Sequence, residues 1–93
     1  MLLFFYGKEC PHCHEMFPLI DRLEKETGFK VHRYETWHNK EHYKRQDKYD
    51  TGTCGGVPFC MNTETQESIC GSTDYEHLKS WALGESFISE DKK

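Results

Sequence analysis

The chain opens on an unbroken apolar run, Leu2-Leu3-Phe4-Phe5-Tyr6, closed by Gly7. A run without polar alternation suits a strand buried on both faces, as central strands of parallel-type sheets are. From Cys10 the period changes. Met16, Ile20 and Leu23 recur at helical spacing, with Cys13 and Phe17 on the same side. Pro11 falls in the first turn, where proline is tolerated, and Gly28 stands where the helix should stop. Pro18 lies inside the pattern and removes a backbone donor, which predicts a kink or break.

Residues 30–37, with Val, Tyr, Thr and Trp, predict a second strand. Residues 39–49 read as a polar helix capped by Asn39, with a thin apolar face of Tyr43 and Tyr49. Residues 51–56 form a loop by composition. Residues 57–61 and 67–70 flank a turn-like Asn62-Thr63-Glu64-Thr65-Gln66, which predicts a β-hairpin. Thr73 and Glu76 have capping-box spacing, Leu78, Trp81 and Ala82 give the last helix its buried stripe, and Gly84 ends it. The predicted order is β-α-β-α-β-β-α: one α/β domain over residues 1–84, a four-stranded mixed sheet with helices on both faces. Residues 85–93 are expected to be a flexible tail.

Composition narrows the function. Ninety-three residues hold one core, and a 35% hydrophobic content closes that core only if the aromatic 14% goes inside. No stretch approaches the ~20 apolar residues of a membrane helix, and Met1 to Tyr6 lacks the features of a signal peptide. The expectation is a cytoplasmic monomer with no membrane partner. A net charge of −4 argues against nucleic acid, since phosphate binding needs surplus Lys and Arg. Five cysteines are too few for a disulfide scaffold, which usually exceeds roughly 8–10% Cys. In a reducing compartment they are catalytic, metal-binding or simply buried.

Cys10-Pro11-His12-Cys13 carries the strongest chemical signal. The pair follows a buried strand and opens a helix, so Cys10 lies where unpaired N–H groups point outward. That positive end favours the nucleophilic thiolate, and His12 adds a second positive charge when protonated. Cys13 lies one turn inward. Cys10 is therefore expected to attack a substrate disulfide and Cys13 to resolve the mixed disulfide. The other reading of the pair is structural, or half of a zinc site. No second Cys-x-x-Cys is present to complete a zinc ribbon.

Strand–Cys10-Pro11-His12-Cys13–helix, Val57-Pro58 before a hairpin, and a closing helix together resemble the thioredoxin superfamily over residues 2 to 83. With no extra N-terminal strand and helix, the pattern looks more like a glutaredoxin. Pro18 also fits, because thioredoxins carry a helix-kinking proline five residues after the second cysteine. The resemblance implies a thioredoxin-like fold and a thiol–disulfide oxidoreductase acting on protein or small-molecule disulfides. Its electron donor would be glutathione or a thioredoxin reductase, and no cofactor is implied. Pro11 and His12 would neighbour the reacting sulfurs. Pro58 would be the superfamily's cis-proline, and Val57-Pro58 would contact substrate. Departures are also visible. Glu9 stands where thioredoxins have Trp, and Phe4 where they bury an acidic residue, leaving water, His14 or Glu9 as the base for Cys13. Val57 replaces the Thr usual in glutaredoxins.

The second reading of function is a metal-binding module, with zinc or an iron–sulfur cluster on Cys10, Cys13 and Cys54, joined by His12 or His14. The favoured reading of Cys54 is a small loop residue without a role. Cys60 and Cys70 are expected to be buried on adjacent strands, with a disulfide between them disfavoured in a cytosolic protein. His38, His42, Lys40, Lys44 and Lys48 form a basic stripe read as a solvated face.

Overall fold

The computed structural model describes residues 1–50, 52 and 54–84. The tail expected at 85–93 lies outside them. The described residues form β1 (Leu2–Tyr6), α1 (Pro11–Thr27), β2 (Val31–Glu35), α2 (Lys40–Tyr49), β3 (Phe59–Asn62), β4 (Glu67–Cys70) and α3 (Tyr75–Leu83). The order is the predicted β-α-β-α-β-β-α. The strands make one mixed sheet in the order β2-β1-β3-β4, with β1 parallel to β2 and antiparallel to β3.

The apolar run of β1 works because alternate residues of a strand face opposite sides. Leu2 and Phe4 join Met16, Ile20 and Leu23 of α1, Leu78, Trp81 and Ala82 of α3, and Cys60 and Ile69. Leu3 and Phe5 join Phe59 and Met61 on the other face, with Tyr34 and Tyr49 packed against them. Central position in the sheet thus explains why β1 has no polar residue.

Four boundaries differ from the sequence reading, each for a local reason. α1 runs unbroken through Pro18, because its packed stripe outweighs the loss of one donor. β2 ends at Glu35, and the chain then leaves the ladder with Thr36 N–H bonded to Tyr6 O at 2.8 Å. β3 begins at Phe59, after Pro58, which has no N–H to give to a ladder. The cap of α3 is Asp74, not Thr73: its carboxylate accepts the His77 N–H at 2.8 Å. Asn39 does cap α2, accepting from Glu41 and His42 N–H at 3.0 Å each.

Candidate active site

Three strand ends meet at one edge of the sheet. β1 leaves it at Tyr6, its parallel neighbour β2 at Glu35, and antiparallel β3 enters it at Phe59. The segments that continue from these ends are the Gly7–Cys10 loop, the Thr36–Asn39 loop and Val57-Pro58. The Val57–Pro58 peptide is cis.

Cys10 is the N-cap of α1. Its backbone is extended, its N–H bonds Gly7 O at 3.0 Å, and its Sγ accepts the Cys13 N–H at 3.3 Å. Its sulfur therefore takes the place of the oxygen that usually satisfies an orphan donor at a helix start. Cys10 is 6% exposed and Cys13 fully buried. Burial, followed by the hydrogen bond to Cys10, pushes the Cys13 thiol up to about 12. Beneath them Cys60 pairs with Phe4 across the β1–β3 ladder and is fully buried, and burial pushes its thiol strongly upward. Val57 packs against the cluster that holds Cys10 and Cys13. His12 is exposed, 3.5 Å from Glu15 one turn on.

The two groups named as a base for Cys13 are engaged elsewhere. The His14 ring bonds Lys8 O, and both Glu9 oxygens lie against His38 Nε2 at 2.8 and 2.9 Å. The hydrogen bond to Glu9 raises the His38 pKa, and the same bond lowers that of Glu9.

Sequence reasoning missed Glu35. Desolvation opposes its charge, but backbone donors from Lys8 at 2.8 Å, His38 at 2.8 Å and Trp37 at 3.2 Å hold its carboxyl below the usual range. Glu35 and the Glu9–His38 pair fasten the β2–α2 loop to the segment leading into Cys10. Lys40, Lys44 and Lys48 of the stripe read as a solvated face are exposed, whereas His38 serves Glu9 and His42 bonds Glu35 O at 3.0 Å.

The reading of Cys54 as an idle loop thiol or a metal ligand is corrected. Cys54 is joined to Cys70 by a disulfide, so its sulfur is not available to complete a metal set with Cys10 and Cys13. Cys60 is buried as expected but Cys70 is exposed. They are one register step apart, Cys60 opposite Ile69 and Cys70 opposite Phe59, so they face opposite sides of the sheet and do not pair with each other, as expected. Among the described residues no cluster of three or more His, Cys, Asp or Glu is arranged to hold a metal ion. The pairing was not legible because connectivity cannot be read from cysteine spacing.

Also missed were Gln46 and Asp50 at the end of α2. Gln46 is buried and donates to Gly56 O at 2.7 Å. The Asp50 carboxylate accepts the Cys54 and Gly55 N–H groups at 2.8 and 2.6 Å. With the disulfide and the Gly71 N–H to Pro58 O bond of 2.8 Å, they hold the segment that carries Val57-Pro58.

Comparison with known proteins gives a family and a fold. Residues 1–47 match the family described as TraF: F plasmid transfer operon protein. No curated protein matches the chain. Among solved structures, the glutaredoxin grx-1 from Archaeoglobus fulgidus superposes with a TM-score of 0.63 at 19% identity, covering 86% of this chain and 83% of that one. The mixed sheet with its three helices is a thioredoxin-like α/β fold.

Proposed function

The chain belongs to the family of TraF, the F plasmid transfer operon protein, and from that premise and its thioredoxin-like fold we propose that it is a thiol–disulfide oxidoreductase working through Cys10 and Cys13. The observation that carries the reading is the arrangement of the two sulfurs. Cys10 Sγ sits at a helix N-terminus accepting the Cys13 N–H, while burial keeps Cys13 a thiol until it is needed. This division of labour is what sequential exchange requires.

In the proposed cycle Cys10 Sγ attacks one sulfur of a substrate disulfide. A Cys10–substrate bond forms, the substrate S–S bond breaks, and the departing thiolate takes a proton. Cys13 then gives up its proton as it attacks Cys10 Sγ, releasing the second substrate thiol. The substrate has gained two electrons and two protons, and a Cys10–Cys13 disulfide remains. Run backwards, the same steps oxidise a dithiol. Pro11 and His12 flank the reacting sulfurs, and Val57-Pro58 forms the backbone against which the substrate lies. A protein or small-molecule disulfide is the substrate; glutathione or a thioredoxin reductase supplies electrons in the reducing direction. The Cys54–Cys70 disulfide persists more readily in an oxidising compartment than in the cytosol, so the proposal places the protein in the former rather than the expected cytoplasm.

The test is trapping. Cys13→Ser should accumulate a mixed disulfide with insulin or another disulfide-bonded, unfolded protein, visible on non-reducing gels, and Cys10→Ser should not. Insulin turnover that survives Cys10→Ser would overturn the mechanism.

A further inference from the structure

Trp37 is 53% exposed although the loop that carries it is thoroughly bonded. Thr36 N–H and Oγ1 both reach Tyr6 O, Trp37 and His38 N–H reach Glu35, and the His38 ring reaches Glu9. The backbone that carries the indole is therefore held in place. The indole leaves apolar surface open to water.

Its position is specific. The ring lies on the backbone of Gly7, where a Cβ would fall 2.2 Å from Trp37 Cδ2 and 2.4 Å from Cε2. Gly7 is the residue whose carbonyl accepts the Cys10 N–H at 3.0 Å. The indole thus packs on the residue whose carbonyl holds the backbone of the attacking cysteine. Strand order puts it on the flank opposite Val57-Pro58: Trp37 follows β2, Cys10 follows β1, and Pro58 precedes β3. Adjacent strands are about 4.8 Å apart, so the two flanks are separated by roughly 10 Å, the span of about three extended residues.

We propose that Trp37 is a substrate-docking residue, and that it selects polypeptides with an aromatic or large aliphatic side chain one or two residues from the reacting cysteine. This rests on the redox reading of Cys10. A chain laid from Val57-Pro58 across Cys10 brings that neighbouring side chain onto the indole. Rigid Trp surfaces lose little entropy on binding and often dominate interface energy. Glutathione offers no apolar side chain to cover the ring, so the same geometry favours polypeptide over glutathione.

The experiment compares wild type, Trp37→Ala and Trp37→Phe on two synthetic disulfide peptides, one with Phe two residues from its cysteine and one with Ser there. For the Phe peptide, Trp37→Ala should raise KM about tenfold and leave kcat within twofold; Trp37→Phe should recover most of the loss. The Ser peptide, hydroxyethyl disulfide turnover and the rate of Cys10 alkylation should be unchanged. Fluorescence anisotropy of the labelled, reduced Phe peptide reports docking without any redox step, and Trp37→Ala should weaken it about tenfold. Normal turnover with neither KM nor anisotropy altered by Trp37→Ala would overturn the docking role and leave the redox reading intact. Absent turnover in wild type, with the anisotropy effect present, would do the reverse.

Discussion

Cys10 and Cys13 differ in their surroundings more than in their chemistry. Cys10 caps a helix and keeps a small exposed fraction; Cys13 keeps none, and its thiol is pushed up to about 12. Since only the thiolate is alkylated at a useful rate, iodoacetamide at neutral pH should modify Cys10 first. Peptide mapping should find Cys13 and Cys60 unlabelled until the protein is denatured. Early labelling of Cys13 would exchange the two roles. The Glu9–His38 pair beside Cys10 has its own pH signature. The pair is fully made above the titration of Glu9 and below that of His38. The raised His38 pKa means that its contribution is complete below the ordinary histidine value, near 6.5, and is lost as pH rises through the folded value. The lowered Glu9 pKa means that its contribution is lost as pH falls through the folded value. Glu9→Gln should therefore move the His38 midpoint, followed by its ring proton resonances, down toward the unperturbed range. An unmoved midpoint would mean that the pair does not form in solution.

The elements were legible from their apolar patterns, caps and turns; the polar contacts that dock them were not. β1 could be read as an unbroken apolar run, α1 because its buried positions follow a helix period, β4 because it follows a turn, and Cys10 could be placed because Pro11 marks a first turn. The candidate cysteines and Val57-Pro58 were visible for the same reason, being set between recognisable elements. α2 is the contrasting case. Its expected apolar residue Tyr43 is exposed, and the side chain it buries is Gln46, bonded to Gly56 O. A glutamine in a charged helix carries no periodic signal, and its carbonyl partner is ten residues away in a glycine loop. Gln46→Ala should lower stability by about 1 kcal/mol, the value of one hydrogen bond whose exposed Gly56 carbonyl can turn to water. Urea denaturation measures this directly. An unchanged midpoint would show that α2 does not depend on the Gln46–Gly56 bond.

Across the whole molecule, the face of the sheet that carries Leu3, Phe5 and Phe59 is tied at its rim by a covalent link the sequence did not disclose. Cys54 ends a loop anchored by Asp50, Cys70 ends β4, and the bond between them closes a loop of 16 residues of sequence separation around the β3–β4 hairpin. A crosslink of that span removes enough freedom from the unfolded chain to stabilise the fold by about 3 kcal/mol. It also lies outside both cysteines of the proposed cycle, so its loss separates scaffold from chemistry. The double substitution Cys54→Ser and Cys70→Ser leaves every strand pairing and the β1, α1 and α3 core in place, and the variant should still fold. Its unfolding free energy should fall by about 3 kcal/mol, and amide exchange should rise at the Cys54 and Gly55 positions, whose N–H groups the Asp50 carboxylate now holds. Cys10 and Cys13 should still interconvert between dithiol and disulfide, because their geometry depends on the start of α1 rather than on the loop. The matching count in the wild type is three titratable thiols after denaturation without reductant, those of Cys10, Cys13 and Cys60, when the active pair is reduced. Five thiols in protein isolated without reductant would show that the link does not form, and an unaltered unfolding free energy in the double variant would show that it does not bear on the stability of the fold.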